Sequence, residues 1–122
     1  MLLFLKKDWA MIKMYGIPNC DTVKKAKKFL EEGGVEFSFV DFKKTAPTEK
    51  DIKNWKKSFG EWPINKRGTT YRKLKDEFES ASDAEVVKLI CDNSSVIKRP
   101  ILEQDGKTLC LGFDKEVFGS LV

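Results

Sequence analysis

Cys20 stands where the run Met11-Ile-Lys-Met-Tyr-Gly16 reads as a strand and Asp21 to Glu32 reads as a helix, in a chain without histidine. A cysteine at such a turn lies at or beside a helix N-terminus, where free backbone N–H groups and the positive end of the dipole favour a thiolate. Free cysteine titrates at about 8.5 and helix-terminal or cation-flanked cysteines at roughly 3.5–7.5, so position alone can make the thiolate the major species near neutral pH. Without imidazole, Cys-His pairs, Ser-His-Asp triads and His-ligated metal sites are excluded. The chemistry left is that of a nucleophilic thiol. Cys91 ends an amphipathic run and Cys110 lies between leucines. Neither has an activating neighbour in sequence, so both read as packing, with a resolving role as the remaining option for Cys110.

The elements that must hold Cys20 follow from periodicity. Val23, Ala26, Phe29 and Leu30 share one helical face, with Lys24, Lys25, Lys27 and Lys28 elsewhere, and Gly33-Gly34 ends the helix. Those lysines read as a solvated face that makes no specific contact and biases the local field positive. Val35, Phe37 and Phe39 alternate with polar residues as a strand, so Met11 to Phe42 is a β-α-β unit. From Pro47 the pattern is helical. Thr48 and Asp51 suit a capping box, and Ile52, Trp55 and Phe59 repeat until Gly60. A short helix starts at Thr69 or Thr70, and Ser82-Asp-Ala-Glu85 caps another that fades at Asp92. Trp55 and Trp62 read as packing. Val96 to Leu102, a turn at Gln104-Asp-Gly106, and alternating Leu109, Leu111 and Phe113 read as a β-hairpin, followed by a helix near Asp114. Pro100 must sit at a strand entrance or edge, and a cis bond is expected there. The order β-α-β, helical insertion, β-β-α with a mixed four-stranded sheet predicts an α/β, thioredoxin-like fold.

A chain of 122 residues with 41% apolar and 11% aromatic side chains fits one domain. Three widely spaced cysteines suit neither a disulfide scaffold nor a zinc site, and point to a reducing cytoplasm. Leu2 to Leu5 is too short for a signal-peptide core, so no export and no membrane span are expected. The net charge of +4, from 23 basic and 19 acidic residues, is dispersed, which gives no case for direct nucleic-acid binding.

Four ordered motifs, MYGIPNCDTVKKAKKFLEEGGVEF, NKRGTTYRKL, IKRPIL and LCLGFDKEVF, span most of residues 11–122. On these the chain resembles the arsenate reductase/Spx family, most closely its YffB-like branch. Residues 1–10 precede the point where the family usually begins, which leaves 11–122 as the family domain, with a helical insertion over about 47–92. The resemblance implies a thioredoxin-like fold with Cys20 as single nucleophile. Arg67 falls on the first arginine position and Arg99, before Pro100, on the second. In thioredoxin-like proteins the residue before the cis proline offers backbone hydrogen bonds to a bound thiol, a role that falls to Arg99. Asn19 and Arg72 complete the implied substrate-binding set of Asn19, Arg67, Arg72, Arg99 and Pro100.

Departures separate the branches. Arsenate reductases of this type carry a third arginine where Leu111 stands, a histidine where Gly16 stands and a serine where Val23 stands. An oxyanion is held by charge-assisted donors worth about 1.5–3 kcal/mol each, so these losses argue against efficient arsenate chemistry. Spx regulators often carry Cys-x-x-Cys, but the fourth position here is Val23, which removes a local disulfide switch. The expected function is a cytoplasmic thiol oxidoreductase forming a mixed disulfide with a small thiol or disulfide substrate, with glutathione as co-substrate and no bound cofactor. The alternatives are an Spx-like regulator binding the RNA polymerase α subunit, and an arsenate reductase.

Overall fold

The computed structural model describes residues 12–122. The N-terminal extension expected over residues 1–10, and Met11, lie outside the described residues. In chain order the elements are β1 (Ile12–Gly16), α1 (Asp21–Glu32), β2 (Ser38–Asp41), α2 (Glu49–Phe59), α3 (Thr69–Ser80), α4 (Asp83–Asp92), a 3₁₀ turn (Ser94–Val96), β3 (Ile101–Gln104), β4 (Lys107–Leu111) and α5 (Lys115–Gly119). They divide into two compact units, one formed by residues 12–41 with Arg99–Val122, the other by Phe42–Lys98.

The first unit is a four-stranded sheet in the order β2-β1-β3-β4, with β1 and β2 parallel and the other pairs antiparallel. That is the mixed sheet expected of a thioredoxin-like fold. Val23, Ala26 and Leu30 of α1 are fully buried and pack with Phe118 of α5 against Ile12, Met14, Leu102 and Cys110 of the sheet. Each large apolar side chain buried there contributes about 1.5–3 kcal/mol. Phe29, Phe113 and Phe118 close this core edge-to-face, with ring centroids 4.8–6.2 Å apart. On the other side of the sheet, the Tyr15 hydroxyl donates to Glu103 Oε1 at 3.2 Å.

Helix α1 stops as its Gly33-Gly34 pair predicts, and the stop displaces the next strand. The Gly34 N–H reaches Glu31 O at 3.1 Å and the Val35 N–H reaches Leu30 O at 2.9 Å, with Gly34 at φ +72°. Val35 is thereby engaged in ending the helix. The strand expected from Val35 begins only at Ser38 and runs four residues.

The hairpin turn holds Asp105 at φ +51° and Gly106 at φ +81°, two consecutive left-handed residues that match the twist of the flanking strands. Its first strand is shorter than expected. Val96 lies in the 3₁₀ turn and Ile97 forms an isolated antiparallel bridge with Ile64, so the strand starts at Ile101. Val96 and Ile97 are nonetheless buried, within the second unit and outside the sheet.

In the second unit both capping boxes form. Thr48 and Asp51 exchange backbone and side-chain bonds at 3.1 Å each, and Ser82 and Glu85 do so at 3.0 and 3.3 Å. Gly60 ends α2 at φ +77°. Trp55 is fully buried, with its ring 6.1 Å from that of Phe42. Trp62 is less deeply placed than Trp55. It is partly buried, with Lys56 Nζ 4.1 Å from its ring centre.

Candidate functional site

Strand β1 delivers the chain to Gly16, a short Ile17-Pro18-Asn19 connector follows, and Cys20 takes the N-cap position of α1 with an extended backbone at φ −127°, ψ 124°. Its carbonyl accepts the Lys24 N–H at 2.9 Å, the first bond of the helix. The neutral thiol closes no capping hydrogen bond. As an anion it faces other influences. Partial burial is the largest single effect and opposes ionisation. The Val23 N–H, the Arg99 guanidinium through both a hydrogen bond and its charge, and the Thr22 N–H together outweigh that burial and hold the Cys20 pKa below its ordinary value. The half-buried Cys20 also packs against the apolar core of this unit. Burial strengthens the nearby dipoles as it limits solvent access.

Arg99 is the arginine that the structure brings to Cys20. It is half-buried, and its peptide bond to Pro100 is cis, as expected from the sequence. Pro100 is buried, and its carbonyl accepts the Gly112 N–H at 2.7 Å, which fastens the segment to the end of β4. Asn19 is exposed beside the cysteine. Arg67 and Arg72 belong to the other unit, where both are exposed at the approach to and first turn of α3. The Arg67 N–H donates to Asn65 Oδ1 at 3.2 Å and the Arg72 N–H to Gly68 O at 3.2 Å.

The two sequence departures at Gly16 and Val23 meet in space. A Cβ on Gly16 would lie 2.9 Å from Val23 Cγ2 and 3.6 Å from the Phe39 ring, so the fully buried valine occupies the room that a side chain at position 16 would need. Leu111 is half-buried at the end of β4 and supplies no hydrogen-bond donor from its side chain. The lysine face of α1 is less inert than the sequence suggests. Lys27 Nζ sits 4.5 Å from the centre of the Phe39 ring and Lys28 pairs with Glu32 at 3.8 Å.

Cys91 and Cys110 differ from Cys20 in kind. Burial, then the charges of Glu49, Asp92 and Asp51, push the Cys91 thiol up, and its Sγ donates to Pro47 O at 3.5 Å. Burial pushes Cys110 to about 11, with Sγ donating to Gly112 O at 3.5 Å. Both are held as neutral thiols at physiological pH, which leaves Cys20 as the activated one. Among the described residues no group of three His, Cys, Asp or Glu could hold a metal ion, and no helix is long and apolar enough to cross a membrane. The donors that composition could not reveal are the backbone N–H groups of Thr22 and Val23. Their only signal was the helix start itself.

The ArsC family model matches residues 15–121. The chain belongs to the ArsC family. An uncharacterised protein of Haemophilus influenzae is 37% identical over 111 residues, covering 88% of this chain and 96% of the relative. The ArsC-family chain also matches the global transcriptional regulator Spx of Streptococcus mutans, 27% identical over 87% of this chain and 79% of the regulator. Among solved structures, a YffB protein superposes with a TM-score of 0.82 at 34% identity, covering 91% of this chain and 98% of that one. The ArsC fold is thus shared along nearly the whole described chain, Cys20 and the Arg99-Pro100 segment included.

Proposed function

We propose that the protein is a thiol oxidoreductase whose nucleophile is Cys20. The observation that carries this reading is the Cys20 thiol at the start of α1, its ionisation favoured by the Val23 N–H and by Arg99. The Cys20 thiolate attacks one sulfur of a small disulfide, forming a mixed disulfide. The other sulfur leaves as a thiolate and takes a proton from water. A second small thiol, glutathione or an equivalent, then attacks the mixed disulfide, restores the Cys20 thiolate and departs as a disulfide. Each cycle consumes one external thiol and one disulfide and releases one thiol and one new disulfide, and no second protein cysteine takes part. Val23 at the fourth position of the helix-start motif and the raised pKa of Cys110 favour this external resolution. Arg99, with Asn19, would hold a carboxylate of the thiol compound, which a planar guanidinium group suits. The segment before the cis Pro100 would offer it backbone hydrogen bonds. This assignment places the protein in a reducing cytoplasm.

The test is intact-mass spectrometry with peptide mapping after reduced protein meets oxidised glutathione between pH 5 and 9. An adduct confined to Cys20 supports the reading. Reaction of Cys20 no faster than Cys91 and Cys110, or turnover surviving in Cys20→Ser, overturns it.

A second reading is supported by the Spx regulators among the relatives, at 27–28% identity over 87% of this chain. In it the protein binds the RNA polymerase α subunit and Cys20 serves as a sensor. Retention of that subunit by immobilised protein, with no thiol turnover, would favour it. Arsenate reduction has the least support. Leu111 brings no donor, and the packing of Val23 on Gly16 leaves no room there for a larger side chain.

A further inference from the structure

The Phe42–Lys98 unit contains a cavity of about 910 Å³ lined only by its own residues. That is within the range of about 300–1,000 Å³ found for small-molecule sites. Its aromatic lining comes from Trp62, Tyr71 and Phe78. Tyr71 and Phe78 stack at 5.5 Å with an interplanar angle of 34°, and each is less than a tenth exposed, so they form a fixed apolar wall. Lys56, also on the lining, lies over the Trp62 ring at 4.1 Å and is itself tied to Asp83 at 3.7 Å.

The charges on this cavity are unevenly matched. Lys56 and Asp83 answer each other, whereas Lys66, Arg67 and Lys98 line the same cavity and none of the three has an ion-pair partner among the described residues. The Ile64–Ile97 bridge is flanked by the Asn65 N–H on Val96 O at 2.8 Å and the Lys98 N–H on Pro63 O at 3.1 Å, which sets Lys98 opposite Pro63 and fixes both segments on the lining of one cavity. Glu61 and Glu79 are the other carboxylates on the lining, so a ligand head must carry enough negative charge to compete with them. Cations beside an aromatic wall fit a compound with two parts, a flat apolar body and an anionic head.

We propose that this cavity binds a small aromatic compound bearing a phosphate or carboxylate group, with the ring against Tyr71, Phe78 and Trp62 and the anion at Lys66, Arg67 and Lys98. The site is separate from the thiol chemistry assigned to Cys20 and does not depend on it. An extended acidic peptide is the competing occupant, and the cavity's small-molecule size weighs against it.

The test is ¹⁵N–¹H shift mapping of the full chain titrated with 1-naphthyl phosphate, 1-naphthoate, inorganic phosphate and hexaglutamate. Saturable shifts centred on residues 61–67, 71, 78 and 98 are expected with one or both naphthyl probes, and the stronger of the two identifies the head group. Binding should be at least about ten-fold tighter than for inorganic phosphate, since the ring must contribute. The surface variant Lys66→Ala/Lys98→Ala should lose about ten-fold in affinity with its fold unchanged, and Cys20→Ser should bind as the parent does. Inorganic phosphate binding as tightly as the naphthyl probes, shifts centred elsewhere, or no effect of the double substitution would overturn the proposal. So would hexaglutamate alone moving these amides, which would make the cavity a docking surface for an acidic chain.

Discussion

At the scale of single residues, Cys20 and Arg99 form a pair whose contributions can be separated. Two backbone N–H groups and one guanidinium act against burial on the same sulfur. Raising the pH through the depressed pKa of Cys20 should increase its alkylation rate, because the thiolate is the reacting form. Arg99→Ala removes a hydrogen bond and a positive charge together and should move the rise to higher pH. Arg99→Lys keeps the charge, loses the planar fork and should fall between the two. Iodoacetamide rates measured against pH check this, and a curve unmoved by Arg99→Ala would remove the arginine from the site. The profile is easy to read in this chain. With no histidine present, no other side chain has an ordinary pKa between about 5 and 8. The sequence disclosed half of the pair. A cysteine before an amphipathic run marks an N-cap position, but the hydrogen bond from Arg99 depends on β3 lying beside β1. Only the resemblance to a known family pointed to it.

Among the elements, the join between β1 and α1 depends on a complementary pair of side chains. Gly16 leaves a gap that Val23 fills, and a methyl group added at position 16 would stand 2.9 Å from Val23 Cγ2. Gly16→Ala should therefore cost about 1–3 kcal/mol through overpacking. In a Val23→Ala background the same change should cost less, with a coupling of about 1 kcal/mol measured by urea unfolding of the four proteins in the cycle. Additive costs would mean that the two positions do not meet. The helices of the second unit were the most legible elements, because Thr48 with Asp51 and Ser82 with Glu85 state their starts in four residues. Strand limits were harder to read. Val35 and Phe37 alternate like a strand but follow a helix stop that uses the Val35 N–H, and Val96-Ile97 is buried in the second unit, outside the sheet. Periodicity reports burial and is silent about which partner provides it.

For the molecule as a whole, Cys110 links stability to pH. Its thiol titrates at about 11 in the fold and at about 8.5 in an unfolded chain. The native state therefore keeps a proton that the unfolded state loses as pH rises through this window. The resulting contribution is complete below about pH 8.5 and is lost as pH approaches 11, amounting to about 3 kcal/mol. Cys110→Ala should be less stable at neutral pH because a buried side chain is truncated, and the gap to the parent should narrow as pH climbs from 8.5 to 11. Denaturant unfolding at several pH values checks this, and a constant gap would contradict it. The α/β order was legible from end to end, because each turn carries its own glycine, proline or cap. The helical insertion expected over about 47–92 lies within the second compact unit, whose limits at Phe42 and Lys98 carry no linker-like composition.

The outermost strands among the described residues are β2, four residues long, and β4, five residues long and opening on Lys107. The pairing of β3 with β4 is interrupted by a register shift between Leu102 and Glu103. A border that is short, charged or irregular gives another chain little to pair with. The sheet should therefore be poor at seeding edge-to-edge stacking, which favours a protein that stays dispersed when crowded.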